Sequence, residues 1–222
     1  MVKTAEKIES ARLGEGIYLP IDVSMILKLP YHRVKYLMET YWRNYTFGKK
    51  GNKAINFYSL IEFYTYYQLR EKEYTSRQIK DFHDLLTKHL NTKYPFASVR
   101  VMTPTKKTSK SMIWYEYLGN YLKGDGKQQP YIQSFVKPFL KQIEFGEDLI
   151  AKRFFPLHHT ENIVVDPMHQ FGQPVINGTN IQTRTIFNLF EAGETKRTIC
   201  LLYDISDSQV DDAIRMHTRK IA

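Results

Sequence analysis

Helix-capping residues recur at short intervals towards the C-terminal end of this chain and confine that stretch to short helices. Thr183 precedes an apolar-periodic segment, residues 184–191, that ends at Gly193; Thr195 precedes residues 196–203; Ser206 opens residues 207–219, with Gln209 three positions on. Ser-x-x-Gln is a reciprocal capping pattern, in which each side chain satisfies a free backbone N–H of the other's residue. Three short helices joined by a glycine turn and a polar turn predict a compact, helix-turn-helix-like three-helix unit.

A second helical pair is predicted near the N-terminus. Residues 17–19 suit a short strand before Pro20. Asp22 can cap a helix over residues 23–29, and Pro30 suits the first turn of a second helix over residues 31–42. Val34, Leu37, Met38 and Tyr41 fall on one face of that second helix. Gly48, Gly51 and Asn52 are turn formers, ringed by Lys49, Lys50 and Lys53, and read as a β-hairpin with a basic tip. The first sixteen residues, polar and carrying Gly14 and Gly16, read as a mobile arm.

Between these ends, residues 57–72 read as an aromatic-rich helix, and Thr75 or Ser76 can cap another that reaches about residue 90. Strands are predicted over residues 99–102 and 112–118, with a polar loop between them. Residues 119–130 read as loop. Ile132, Phe135, Val136, Phe139, Leu140 and Ile143 predict a helix over residues 131–145, with Pro138 inside it. Residues 149–155 and 163–165 read as strands. The fold class expected is mainly α with small β elements (α+β). The expected division is an arm (1–16), a winged helix-turn-helix domain (17–97), a mixed strand and helix segment (98–155) and a C-terminal helical domain (156–222).

The formal charge of +9 is unevenly spread: residues 1–155 carry +11 and residues 156–222 carry −2. A polyanion would therefore meet the N-terminal part. A recognition helix reads base edges with its N-terminal residues, here His32, Arg33, Lys35 and Tyr36. Arg43, Lys49, Lys50 and Lys53 could hold flanking phosphates and make binding salt-dependent. In the C-terminal unit, Asp207, Asp211 and Asp212 would stand near phosphates and repel them, so that unit is expected to dimerise or dock a protein. An ordinary solvated turn explains Lys49 and Lys50 equally simply, and residues 57–67 read as core and dimer surface.

Cys200 is the only cysteine. It cannot form an intrachain disulfide, and among Ile199, Leu201 and Leu202 it reads as a small buried hydrophobe; a reducing, cytoplasmic setting is expected. No apolar run reaches membrane-spanning length, and no membrane partner is expected. His158, His159, Glu161, Asp166 and His169 are the densest group of metal-ligand types, but adjacent histidines in a strand point to opposite faces. No catalytic residue, metal site or cofactor is assigned, and the protein is not expected to be an enzyme.

The C-terminal stretch carries an ordered set of motifs: Ile-Val-Val-Asp-Pro (163–167), Phe-Gly-Gln-Pro-Val-Ile (171–176), Asn-Gly-Thr-Asn-Ile-Gln-Thr (177–183), Glu-Ala-Gly-Glu-Thr (191–195) and Val-Asp-Asp-Ala-Ile-Arg (210–215). This resembles the bacterial domain-of-unknown-function family 433, which often shows DP, then G-x-P-V-x-x-G-T, then an AGE-type turn. Asn180-Ile181-Gln182 departs from the family, which more often has Arg or Gly, Ile and Pro there. The N-terminal helix pair, with Ile55-Asn-Phe-Tyr-Ser-Leu60 and Tyr94-Pro95-Phe96, is similar to the MerR-type winged helix-turn-helix that precedes this domain in longer members. The whole chain is thus similar to two-domain VapB-type antitoxins. The resemblance implies a type II antitoxin that neutralises a PIN-domain ribonuclease toxin, binds double-stranded operator DNA as a homodimer and represses its own operon. Two other readings stay open: a ligand-responsive regulator without a toxin, with Trp114, Tyr115, Tyr117 and Tyr121 lining an apolar pocket, and a nucleic-acid-processing enzyme using the region from His158 to His169.

Overall fold

The computed structural model describes residues 14–40, 42–49, 51–104, 113–117, 120–124, 136–138, 140–158 and 160–218. In chain order its elements are α1 (Pro20–Leu27), α2 (Tyr31–Glu39), α3 (Phe57–Glu71), α4 (Ser76–Leu90), β1 (Arg100–Pro104), β2 (Trp114–Tyr117), β3 (Asn120–Lys123), β4 (Val136–Pro138), β5 (Ile143–Phe145), β6 (Ala151–Phe154), β7 (Ile163–Val164), β8 (Val175–Ile176), α5 (Thr183–Glu191), α6 (Lys196–Tyr203) and α7 (Asp207–His217). The chain is mixed α and β, as the sequence predicts. Among the described residues, no helix is long and apolar enough to cross a membrane.

The chain divides into two compact units: residues 1–57 with 155–222, and residues 58–154. This grouping differs from the sequential division expected at residues 97 and 155. The N-terminal helix pair groups with the C-terminal domain because both ends of the chain bond and pack together. Ile17 N–H donates to Phe171 O at 3.1 Å, and the Lys28 ammonium donates to the carbonyls of Arg215 (3.1 Å) and Met216 at the end of α7. Residues 14–16 are part of this unit rather than an arm: Phe57 N–H donates to Glu15 O (2.8 Å), and Asn56 donates to the Glu15 carboxylate (3.2 Å).

In this first unit α1 starts three residues before the expected position. Pro20 supplies a preset φ at its first turn, and Asp22 accepts the Leu19 N–H at 2.9 Å from inside the helix. Tyr18 and Ile55 exchange both backbone hydrogen bonds at 2.9 Å, the short strand contact expected over residues 17–19. At the other end, β7 pairs antiparallel with β8, and α5 and α7 pack closely. Thr195 caps α6 through Thr198 N–H, and Ser206 with Gln209 forms the reciprocal cap of α7, as predicted. Thr183 does not cap α5: Gln182 occupies the cap position. The Thr183 hydroxyl instead donates to Pro174 O (3.3 Å) and meets His217 Nε2 (2.9 Å). The departure at Asn180-Ile181-Gln182 keeps a defined turn. Thr179 accepts Ile181 N–H at 3.0 Å, and Ile176 N–H donates to Ile181 O at 2.9 Å.

The second unit joins α3 and α4 to strands β1 to β6. Thr75 and Gln78 form the reciprocal cap of α4. Phe63, Leu60, Ile61, Ile79, Phe82, Leu86, Phe96, Val99, Val101 and Tyr115 are buried, and burying each such side chain contributes about 1.5–3 kcal/mol. Within this apolar core, Glu62 is fully buried and its carboxylate lies 3.0 Å from His83 Nε2 and accepts Ala97 N–H at 3.1 Å. Four strands form an antiparallel sheet ordered β3-β2-β1-β4, and β5 pairs with β6. The helix expected over residues 131–145 is not formed where the chain is described. β4 and β5 stand there, and Pro138 sits in an outer strand of the sheet, where a missing N–H is tolerated. β3 likewise replaces part of the expected loop over residues 119–130. Of the polar loop expected between the first two strands, Thr103 and Pro104 extend β1, and residues 105–112 lie outside the described residues.

Candidate nucleic-acid interface

The turn between α1 and α2 is fixed locally. Lys28 ends α1 in the left-handed conformation (φ 55°), and the Ser24 hydroxyl donates to Leu29 O at 2.6 Å. Pro30 then precedes α2. That helix buries Val34 and Met38, both 0% exposed, and turns His32, Arg33, Lys35 and Tyr36 to solvent, with Tyr36 65% exposed. Leu37 is half-buried, and Tyr41 lies outside the described residues. The helix ends earlier than expected. The Thr40 hydroxyl donates back to Tyr36 O (2.7 Å), and a short turn of 3-10 helix, Arg43–Tyr45, follows.

Trp42 is buried beside Tyr45, ring centroids 5.0 Å apart and edge to face. Arg43 is exposed. The hairpin is present: Phe47 and Ala54 exchange backbone hydrogen bonds at 2.9 and 3.0 Å, and Asn52 N–H donates to Lys49 O across the tip. Gly48 has φ 90°, and a Cβ there would come 2.4 Å from Asn52 O, so the tight turn requires glycine. Lys49 is exposed at this tip, Lys53 is half-buried, and Lys50 lies outside the described residues.

Lys35 of α2 and Lys53 of the hairpin line one cleft of about 150 Å³, with Leu19, Ile21, Tyr31 and Met38. The fold thus brings together the helix and hairpin lysines that the sequence offers separately. Its apolar rim was not singled out from the sequence. Ile17 (42% exposed) and Leu19 (46%) flank the fully buried Tyr18, an alternation that signals a strand with one face outward. Lys28 was also missed: it serves the end of α7, and burial pushes its ammonium down to about 8.

The C-terminal acidic residues are less free than expected. Asp212 is buried, accepting from Asn162 (2.9 Å) and Arg215 (3.1 Å). Asp211 pairs with Lys196, and Asp207 accepts from the Cys200 thiol at 3.2 Å. Cys200 is therefore not the buried hydrophobe expected. It is half-exposed, its thiol raised by local desolvation and by Asp207, while Leu201 and Leu202 stand in solvent and Ile199 alone of that group is buried.

Asp166 holds Met168 N–H (2.8 Å) and the His169 ring (3.1 Å); His158 is exposed and His159 lies outside the described residues. Among the described residues no three His, Cys, Asp or Glu side chains gather as a metal site. Tyr115 is packed among aromatic rings. It is 1% exposed, with ring contacts to Phe82 and His89 at 6.0 Å; the side chains of Tyr117 and Tyr121 lie outside the described residues.

Residues 163–215 match the family model "Protein of unknown function (DUF433)". Over 87 residues the chain is 29% identical to a Mycobacterium tuberculosis protein named "Putative antitoxin VapB45", a match spanning 39% of this chain and 36% of that relative's length. The crystal structure of Rv2018 from Mycobacterium tuberculosis has the same fold, with a TM-score of 0.61 over 89% of this chain and 96% of that one at 17% identity. The chain is therefore similar, in part, to an antitoxin-like protein, and it carries a DUF433 region.

Proposed function

We propose that this protein is a cytoplasmic, non-enzymatic antitoxin of a type II toxin–antitoxin system. In this reading it neutralises a PIN-domain ribonuclease toxin and, as a homodimer, binds double-stranded operator DNA to repress its own operon. The partial likeness to the VapB45 protein supports the antitoxin role. For DNA binding, the observation that carries the reading is α2. Val34 and Met38 anchor it while His32, Arg33, Lys35 and Tyr36 face solvent from its first two turns, the part of a recognition helix that meets base edges. In this reading the bridged hairpin beside it serves as the wing of a MerR-type winged helix-turn-helix, with Lys49, Lys53 and Arg43 contacting phosphates, joined by Lys50, which lies outside the described residues.

Co-expression with the product of the adjacent reading frame tests the proposal. The two proteins are expected to co-purify, and the chain is expected to retard DNA from the region upstream of its own gene. A partner that fails to co-purify, together with no gel shift on that DNA, would overturn it.

A further inference from the structure

We infer that the exposed face of α6 is the contact between two copies of this chain, an inference that rests on the homodimer reading above. Leu201 and Leu202 are 77% and 66% exposed, an uncommon arrangement for adjacent leucines in a helix anchored by one buried residue, Ile199. Arg197 stands in the first turn of α6 and Asp204 ends the helix in the left-handed conformation (φ 52°), with Leu201 between them along the chain. Both are exposed, and neither makes an ion pair among the described residues, whereas nearby Lys196 is already paired with Asp211.

A cation at one end of a helix, an anion at the other and an exposed leucine between them is a self-complementary layout. A twofold axis perpendicular to the helix sets two copies of α6 antiparallel. Arg197 of each copy then meets Asp204 of the other, and Leu201 meets its counterpart near the axis, with Leu202 widening the apolar centre. An isologous interface requires this self-complementary matching, each residue meeting the same partner on the other copy; an unrelated partner does not.

Sedimentation equilibrium on the full chain tests the assignment. The native protein is expected to dimerise, and Leu201→Asp to weaken the dimer by about 30-fold or more, as for a central anchor. Circular dichroism should be unchanged, because the side chain is exposed. Arg197→Asp and Asp204→Arg should each weaken association, since each places like charges together twice, and the two combined should restore it. In a Cys200→Ala background, Leu201→Cys should give a disulfide-linked dimer under mild oxidation. A native chain that stays monomeric at high micromolar concentration, a dimer indifferent to Leu201, or a double reversal that fails to restore association would overturn the surface. A monomer that still shifts operator DNA overturns this surface and leaves the DNA reading standing. A Leu201-dependent dimer that shifts no DNA supports the surface and removes the DNA reading.

Discussion

The phenol tip of Tyr18 lies against Gly172, so that a Cβ at position 172 would come within 2.1 Å of the Tyr18 hydroxyl oxygen. Gly172 also has φ 81°, in the region side-chain-bearing residues rarely adopt. A glycine of the DUF433 motif and a tyrosine 154 positions earlier therefore form one packing unit. Tyr18 is fully buried, its hydroxyl has no hydrogen-bond partner among the described residues, and burial raises its pKa, with the nearby carboxylates of Asp166 and Asp22 adding to the rise.

Gly172→Ala is therefore expected to destabilise the protein by about 2–4 kcal/mol, combining left-handed strain with overpacking. Tyr18→Phe removes the nearest clashing atom, leaving the ring Cζ at 2.8 Å, and should by itself change stability little. Combined with Gly172→Ala it should recover part of the loss. Denaturant midpoints of the four proteins measure this, and simple additivity of the two substitutions would refute the contact.

What the sequence makes legible here is local. Thr75 with Gln78, Thr195, and Ser206 with Gln209 act within one helical turn of themselves; Thr195 and Ser206 are the caps predicted, and Thr75 is one of the two candidates for α4. The α2 face was equally readable, because Val34 and Met38 recur at helical spacing. The segment around Pro138 was misread because its apolar spacing fits a helix, whereas the partner that makes β4 a strand is β1, more than thirty residues earlier. The pairing of Tyr18 with Gly172 leaves no local trace beyond the glycine itself. Nor does spacing reveal that Asp212 points inward to Asn162 while Asp211 reaches Lys196.

The buried pair of Glu62 and His83 makes a second prediction. Burial raises the Glu62 carboxyl above its ordinary range, and the His83 ring and the Ala97 N–H act against that rise. Removing the carboxylate by Glu62→Ala leaves both partners without it, a loss of about 3–5 kcal/mol. His83→Leu removes the ring that opposes the rise, so the Glu62 carboxyl should be pushed further up in the fold. A carboxyl with a raised folded pKa lends stability at low pH that is lost as pH rises through that value. His83→Leu should therefore be more stable, relative to the native chain, at pH 5 than at pH 8, measured by urea denaturation. An equal deficit at both values would show that Glu62 is not titrating.

At the end of α7, His217 stacks on Phe187 with ring centroids 5.0 Å apart and is pushed down to about 4, by burial first and then by Arg184 and Lys28. The fold thus excludes a proton that the unfolded chain takes up near its ordinary value of 6.5. The stability this confers is complete above pH 6.5 and is lost as pH falls towards 4. Allowing for screening at a partly exposed ring, the loss is about 1–2 kcal/mol. His217→Gln should show a shallower decline over that window, in a comparison of thermal midpoints from pH 7 to pH 4. Parallel declines would remove His217 as the cause.

DNA binding can be separated into reading and anchoring, because the two groups of side chains stand on different elements. Arg33 and Lys35 project from the start of α2, whereas Lys49 stands at the hairpin tip. All are exposed, so alanine should leave the fold intact, and unchanged circular dichroism checks that. Arg33→Ala with Lys35→Ala should abolish preference for the operator while retaining some binding to any duplex, since base contacts carry about 1–3 kcal/mol each of discrimination. Lys49→Ala should weaken operator and random DNA alike and lower the salt dependence by about one ion per lost phosphate contact. Gel shifts over a salt series on both duplexes distinguish the outcomes. If the α2 double variant keeps its operator preference, base reading lies elsewhere; if Lys49→Ala leaves the salt slope unchanged, the hairpin does not touch the backbone. Lys53 gives an internal comparison. Assigned to phosphates like Lys49, and sharing a cleft with Lys35, it should on replacement by alanine weaken operator and random DNA alike, whereas the α2 double variant should not.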